Sequence, residues 1–446
     1  MVTHLFSRHI CLILFGRTVH LRAGAYHDIK GAVILAAFRV RSFRFQWPAD
    51  LLTSLAFEME TLILGWFVMV HTGSVVLLTA FGSLQHLGTL AAPMFGVLGD
   101  RLGVRTMLCA MRVAYAALAM TLMILAHTGN LGPVAVLLIA SLSGIVRPND
   151  LVMRNAIIGE TIPPAYMINA LSASRASMDS ARVAGALAGA GLSTLLGVGP
   201  AYAVITALYL ASLALSFGIA RSRPAPVPGE AAGGVARPSR YADLKDGLVY
   251  VWTTPTLLAV LVLAFLVNLT AYPVSGGLLP YVARQVFVVD ATGLGWLSAG
   301  FSFGALLGSI AMVVSGGPRR TDRATFVYAA LWYLSLLGFA HAPSFAIGVV
   351  ILFVAGLVQS VAMISLMGVV LEVGDPRFRA RVMGVRMLAV YGLPLGLLGS
   401  GVLIERAGYA ATVSLLCVIG LVCTVAIGMR WRASIWEARG EESRGR

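Results

Sequence analysis

Charge is scarce in this chain. Asp, Glu, Lys and Arg make up only 12% of its 446 residues, about half of the roughly 25% usual in soluble domains. Hydrophobic residues reach 58% and the mean hydropathy is +0.86, which excludes a soluble globular protein. Lysine is almost missing: of 33 basic residues only Lys30 and Lys245 are lysines. They follow Ile29 and Leu244, so there is no Gly-Lys pair and no P-loop. Cysteine is equally sparse, and Cys11, Cys109, Cys417 and Cys423 show no CxxC or ligand spacing. They read as packing residues, and neither a metal nor a cofactor is expected. HExxH is absent, and the acids do not gather in long loops where a catalytic centre could form. The one hydrolase-like pattern, Gly300-Phe301-Ser302-Phe303-Gly304, lies inside an apolar run with no strand before it. No catalytic residues are therefore assigned, and no appended soluble domain suggests a signalling sensor.

What the chain has instead is long apolar runs. They fall near 49–70, 75–98, 105–126, 131–152, 173–196, 200–220, 256–283, 291–315, 324–341, 346–371, 382–405 and 409–429. A membrane-spanning helix needs about 20 mostly apolar residues, so these read as about twelve spans. The runs at 134–145 and 412–427 carry no charge and no two-residue alternation, which argues against a barrel. Alternate connections, His71 to Ser74, His127 to Asn130, Gly197 to Pro200 and His341 to Ser344, lack Lys and Arg. The other set holds Arg101 and Arg105, Arg154, Arg319, Arg320 and Arg323, then Arg377, Arg379 and Arg381. All basic residues but Arg284 and Arg406 fall nearer that second side, so the net charge of +14 is a topology signal rather than a mark of nucleic-acid binding. The positive-inside rule makes that side cytoplasmic, with both termini inside and the chain in the cell (inner) membrane.

A Pro- and Gly-rich stretch, RSRPAPVPGEAAGGVARPSRYADLKD, begins at Arg221 near the midpoint of the spans and reads as a surface linker. The expected organisation is a basic cytoplasmic arm over 1–47, a six-helix bundle over 48–220, a cytoplasmic linker over 221–250, a second bundle over 251–430 and a tail over 431–446. The arm reads as surface-lying or disordered, with a misassigned start codon as the alternative. The halves echo one another weakly: Gly99-Asp100-Arg101 after the second span matches Gly317-Pro318-Arg319 after the eighth. Such duplication marks secondary transporters.

The sharpest motif is Gly96-Val-Leu-Gly99-Asp100-Arg101-Leu-Gly103-Val-Arg105, where the chain turns within a few residues between two spans. Glycine allows the turn and close helix contact, and Asp100 can pair with an arginine or a helix N-terminus of the other half. With the six-plus-six pattern, this resembles the signature loop of the major facilitator superfamily. The resemblance implies an all-α membrane fold of two pseudo-symmetric six-helix bundles. Narrower similarity, in Phe43-Arg44, Ile63 to Ser74, Ile162 to Ala173 and Arg379-Ala-Arg381-Val-Met-Gly384, is to the enterobactin-exporter and macrolide-efflux branch. One departure stands out: Gly185-Ala186 occupies the place where that branch usually has Gly-Pro, a feature associated with exporters. By the resemblance, an arginine of span four supports the cytoplasmic gate, so Arg147 or Arg154 is the expected partner of Asp100, with Gly96, Arg101, Gly103 and Arg105 completing the gate. The resemblance also implies that spans five and eight, and two and eleven, meet across the halves. Gly185 and Gly189, Gly300, Gly304 and Gly308, and Gly392 and Gly396 then read as the smooth faces on which they rock.

Charge inside a span is costly, about 2.5–3.5 kcal/mol on insertion scales. Span one carries Glu58 and Glu60, about 200° apart on a helix and so on different faces; Glu58 ranks first for a polar interior. Span two brings Gln85 and His86 to similar depth. Burial there favours the uncharged carboxyl, and a nearby imidazole would stabilise its anion, which is what proton coupling requires. A static buried pair and binding of a cationic substrate are the alternatives. Arg175, Asp179 and Arg182 follow i, i+4, i+7 and offer an intrahelical ion pair, with Arg182 placed to reach an anionic substrate group. Trp66, Phe81, Asn268, Tyr272, Trp296, Gln359 and Tyr391 join Gln85 and Arg182 as candidate substrate contacts, against the ordinary reading of such residues as core or lipid-facing. The sequence thus predicts a monomeric, proton-coupled exporter of hydrophobic or amphipathic small molecules of drug or siderophore type, with an uptake permease or uncoupled facilitator as the alternative.

Overall fold

The computed structural model describes residues 35–89, 102–220, 240–315, 317–318, 320–373, 379–432 and 435. Most of the basic arm, the Gly96, Asp100 and Arg101 part of the signature loop, the linker over 221–239 and most of the tail lie outside them.

Among the described residues the regular structure is all helical. The first half comprises α1 (Arg41–Thr72), α2 (Val75–Leu84), α3 (Val104–His127), α4 (Pro133–Thr161), α5 (Pro164–Leu196) and α6 (Val198–Ser216). The second comprises α7 (Arg240–Thr253), α8 (Pro255–Thr270), α9 (Ala291–Ser315), α10 (Thr321–Ala340), α11 (Phe345–Val373), α12 (Arg379–Ala389), α13 (Gly392–Ala407) and α14 (Tyr409–Arg430). Among the described residues ten segments are long and apolar enough to cross a membrane. The 33-residue α5 is also long enough, its polarity coming from Arg175, Asp179 and Arg182, and the short apolar Val75–Thr89 opens the second of the twelve predicted spans. Span eleven is broken at Val390 and Tyr391 into α12 and α13. After α8 the chain widens into a π turn over Pro273–Gly277.

The duplication is visible in the joints. Gly197 closes α5 and opens α6 at φ +83°, and Gly408 closes α13 and opens α14 at φ +82°. These are the five-to-six junctions of the two halves, and only glycine reaches that backbone region without strain. Gly103 and Gly317, in the matching loops after spans two and eight, also have positive φ, +84° and +76°.

Two large apolar clusters form the core, one within the first half and one centred on the second half that reaches across to Leu62, Val75, Ala186 and Ala190. One apolar cluster is built around Met59, Ile63, Leu108, Ala119, Ile157, Tyr202 and Tyr209. The other surrounds Val260, Leu263, Trp332, Tyr333, Leu352 and Leu366. The predicted seams are present: α5 meets α9 and α2 meets α13. The glycine faces serve a different purpose from the expected one. A Cβ on Gly185 would stand 2.6 Å from the Cβ of Glu58, and one on Gly189 would stand 2.9 Å from the Cα of Met59, so both face α1. Gly300, Gly304 and Gly308 pack against Val349, Phe353 and Leu357 of α11, while Gly392 and Gly396 pack on Phe265 and Leu269 of α8. The α5–α9 seam is formed by Ala186 and Ala190 against Gly295. The α2–α13 seam is formed by Thr79 and Gly82 against Gly401 and Leu397, with the Ser83 hydroxyl donating to the Pro394 carbonyl at 3.0 Å. The glycines expected on the seams thus tighten each half internally, while Gly82, Gly295 and Gly401 serve the seams themselves.

These inter-half contacts, with Thr292 to Thr194 at 3.4 Å, lie toward the end whose loops lack Lys and Arg. The charged groups described next lie nearer the basic end.

Candidate functional site

Two close crossings in the first half position the site. At Gly144 a Cβ would stand 2.8 Å from the Cα of Gln85, so α4 can run against the end of α2. One turn further, Arg147 reaches across: Nη1 donates to Thr61 Oγ1 at 2.8 Å and to the Gln85 amide oxygen, and Nη2 lies 3.3 Å from Glu60 Oε2. The residue after it, Pro148, cannot supply the N–H for the Gly144 carbonyl, and the Asn149 amide donates to the carbonyls of Ile145 and Gly88, each at 3.1 Å. Glu60 is buried, and the Tyr209 hydroxyl from α6 donates to it at 2.8 Å. Arg147 also lies over the Phe57 ring, 4.3 Å from its centroid.

The second crossing sets α5 on α1. With no side chain at Gly185, Arg182 comes to Glu58 at 3.5 Å, and both are partly exposed. Arg182 lies 3.9 Å from Asp179, which Arg175 meets at 3.3 Å. Glu58 and Arg182 border a cleft of about 470 Å³ with Ser54, Phe57, Arg147, Asp150, Leu151, Arg154 and Met178. Glu60, Thr61, Phe81, Gln85 and Ser143 line a smaller cavity of about 180 Å³ on the other side of Arg147. Arg147 is therefore the wall between a carboxylate that meets the cleft and a carboxylate sealed behind it.

A third group lies deeper toward the basic end. Arg112 of α3 is fully buried and pairs with Asp50 of α1 while bonding Ser216. Arg154 of α4 pairs with Asp150, approaches Asp50 at 3.5 Å and donates to Ser54 at 2.8 Å. Gln46 donates to Asp50 at 3.2 Å and to the Arg154 carbonyl at 3.1 Å.

The sequence-predicted residues divide as follows. Glu60, Gln85 and Arg147 are brought together, and so are Glu58 and Arg182. Their faces are as predicted: the two glutamates look into different spaces. Gln85, expected as a substrate contact, bonds Arg147, and His86, expected beside a glutamate, donates Nδ1–H to the Gly82 carbonyl of its own helix turn at 3.0 Å. Arg147 and Arg154, expected as partners of Asp100, have the partners just given. Gly103 starts α3, and Arg105 donates to the Phe217 carbonyl at 2.6 Å, tying α3 to the end of α6.

In the second half Tyr272 accepts a bond from the Gln359 amide at 2.8 Å and meets Trp332 edge to face at 5.0 Å. Asn268 donates to Ala264 on its own helix at 2.8 Å beside Gly392. Trp66 is partly buried against the larger core, Trp296 is 54% exposed, and Tyr391 sits at the break before α13. Of the expected substrate contacts only Arg182 lines the charged cleft; Trp66, Asn268, Tyr272, Trp296, Gln359 and Tyr391 are not among its lining residues. Asp50, Arg112, Trp332 and Tyr209 are the residues that sequence reasoning did not single out.

A family model described as Major Facilitator Superfamily matches residues 47–394. No curated protein matches the chain. Among solved structures, a point mutant of the nucleoside transporter NupG superposes with a TM-score of 0.68 at 14% identity, covering 88% of this chain and 100% of its own. A bacterial homolog of the human lysosomal transporter Spinster, inward-facing and unoccupied, gives 0.63 at 14%, covering 86% and 95%. A POT family transporter in complex with 5-aminolevulinic acid gives 0.66 at 12%, covering 89% and 97%. At these identities the likeness is one of fold.

Proposed function

The chain belongs to the major facilitator superfamily, and from that premise we propose that it is a proton-coupled secondary transporter. It exports hydrophobic or amphipathic small organic molecules by alternating access. The observation that carries the reading is the pair of glutamates on α1. Glu58 borders the cleft and holds Arg182 at 3.5 Å, while Glu60 is sealed behind Arg147 and Tyr209. A carboxyl that meets the cleft in one conformation can take up or release a proton there, and the cost of leaving Arg182 unpaired couples that event to helix movement. The contacts at Gly295, Gly401 and Thr292 close the end with few basic residues, so the cleft belongs to the cytoplasmic side when the positive-inside rule sets the orientation. The signature loop around Asp100 would close that mouth in the opposite state.

Proteoliposomes with an imposed pH gradient, screened against a panel of amphipathic compounds, test this. Glu58→Gln is expected to abolish gradient-driven accumulation while exchange of unlabelled for labelled solute persists. A Glu58→Gln/Glu60→Gln double variant that keeps full proton-driven transport ends the proposal.

A second reading, uptake or facilitated passage of a small metabolite, is favoured by Gly185-Ala186, which stands where the exporter branch has Gly-Pro. Solute accumulation in cells with and without the gene, each with and without an uncoupler, separates the two by sign.

A further inference from the structure

The cleft beside α1 is small and charged. At about 470 Å³ it suits a single small organic molecule, and five of its nine lining residues carry charge, Glu58 and Asp150 against Arg147, Arg154 and Arg182. Arg147 is committed elsewhere, to Thr61, Gln85 and Glu60. The other four make two pairs of opposite sign, and both pairs have bonding capacity left over. Glu58 and Arg182 stand 3.5 Å apart with side chains 37% and 44% exposed, and the second contact of Arg182, Asp179, is at 3.9 Å. These distances are long for an arginine and a carboxylate, so the guanidinium fork has no tight partner. Asp150 and Arg154 pair directly and are 3% and 2% exposed, yet Asp150 Oδ1 and Arg154 Nη2 have no hydrogen-bond partner. Phe57, Leu151 and Met178 supply the apolar wall.

These features decide which solutes the cleft can hold. An uncharged solute filling it would strip water from Glu58 and Arg182 and return no ionic bond to either, and charge desolvated without a partner is costly. A lone cation attracted to Glu58 also meets Arg182, and a lone anion attracted to Arg182 also meets Glu58, so each gains one attraction and one repulsion. A solute carrying both signs escapes that penalty. We propose that the cargo is a zwitterion, a small molecule with a cationic amine and an acidic group on an apolar frame. Its amine takes Glu58 and its acidic group takes Arg182, so the solute wedges into the loose pair and replaces one long contact by two short charge-assisted ones. The frame lies on Phe57, Leu151 and Met178. The open acceptor of Asp150 and the open donor of Arg154 repeat the demand for both signs, since a group of one sign meets only one of them. The inference rests on the reading of the chain as a transporter with its solute in this cleft, and it narrows the amphipathic solutes to one charge class.

Equilibrium binding to the purified full-length protein tests it with no proton gradient, so a failure of proton coupling leaves the result intact. Two sets of probes share a frame and differ in charge. Phenylalanine is compared with phenethylamine, hydrocinnamate and phenethyl alcohol. The para isomer of aminomethylbenzoate, whose charges are farther apart, is compared with para-methylbenzylamine and para-toluate. In at least one set the zwitterion is expected to bind about tenfold more tightly than the best of its partners, the scale of one charge-assisted hydrogen bond. Glu58→Gln should remove that preference and leave anion binding undiminished, and Arg182→Gln should remove it and leave cation binding undiminished. A merely structural role would not give that crossed pattern. Glu58→Asp and Arg182→Lys, which keep the charges, should restore part of the preference. Arg406→Gln, exposed in the last turn of α13, should change nothing. Elution of each variant as a monodisperse peak checks that it is folded. Zwitterions that bind no better than their partners in both sets, whether all bind or none does, overturn the proposal. So does a folded Glu58→Gln or Arg182→Gln that keeps the wild-type preference. An anion or cation that binds best overturns the charge class alone and leaves the transporter reading, which the gradient assay tests separately.

Discussion

Arg112 and Asp50 form an enclosed ion pair of the first half, their side chains 0% and 5% exposed. Removing one partner of such a pair leaves a bare charge, at a cost of about 3–5 kcal/mol, whereas removing both costs far less. Arg112→Gln leaves Asp50 with Arg154 at 3.5 Å and the Gln46 amide, so it is expected to lower the unfolding free energy in detergent by the lower end of that range, and Asp50→Asn/Arg112→Gln to recover most of it. The Tyr209 hydroxyl matters for a related reason: Tyr209→Phe deprives buried Glu60 of a donor, and about 1–3 kcal/mol should be lost in the same measurement. At this scale the sequence was partly legible. Glu58, Glu60 and Arg147 stand out because charge in an apolar run demands a reason. Arg112 offered the same signal, an arginine well inside the run at 105–126, and Asp50 was obscured by its place at the start of the first run. Tyr209 offered none, since a tyrosine in a helix reads as packing until its hydroxyl is seen to meet a carboxylate.

Glycine decides how the helices approach. Gly185 has the Glu58 Cβ against it and the Leu55 carbonyl 3.0 Å from where its own Cβ would be, so Gly185→Val must push α5 off α1. A loss of about 1–3 kcal/mol is expected from the overpacking, with a fall in gradient-driven transport as Arg182 withdraws from Glu58. Gly191→Ala, where nothing lies within 4 Å, is the matched control and should leave both stability and transport unchanged. The apolar runs located the helices well because spanning segments must be long and uncharged. Break points were harder to see: the π turn at Pro273–Gly277 and the interruption at Val390 and Tyr391 lie inside runs whose length reads as one unbroken span. Which neighbour a glycine face serves was not legible at all, because small residues permit close contact without naming the partner.

Across the whole molecule, the two halves meet where Thr194 of α5 and Thr292 of α9 stand with their hydroxyl oxygens 3.4 Å apart. Cysteines at both positions are close enough for a disulfide. Thr194→Cys/Thr292→Cys is expected to cross-link under mild oxidation, to lose transport, and to regain it on reduction; full transport by the oxidised, cross-linked protein would mean that this end need not open. The six-plus-six plan could be read from duplicated glycines and alternating basic loops. The state in which the halves are held could not, since both conformations share one hydropathy profile.

The ion pairs of the first half also bear on how the protein meets an electric field. Asp50, Glu58, Glu60, Asp150 and Asp179 stand against Arg112, Arg147, Arg154, Arg175 and Arg182. Carrying one elementary charge across a potential of 100 mV takes about 2.3 kcal/mol. A rigid body with as many negative as positive groups does almost no such work when it tilts. Voltage therefore acts on the cycle mainly through whatever charge enters the cleft.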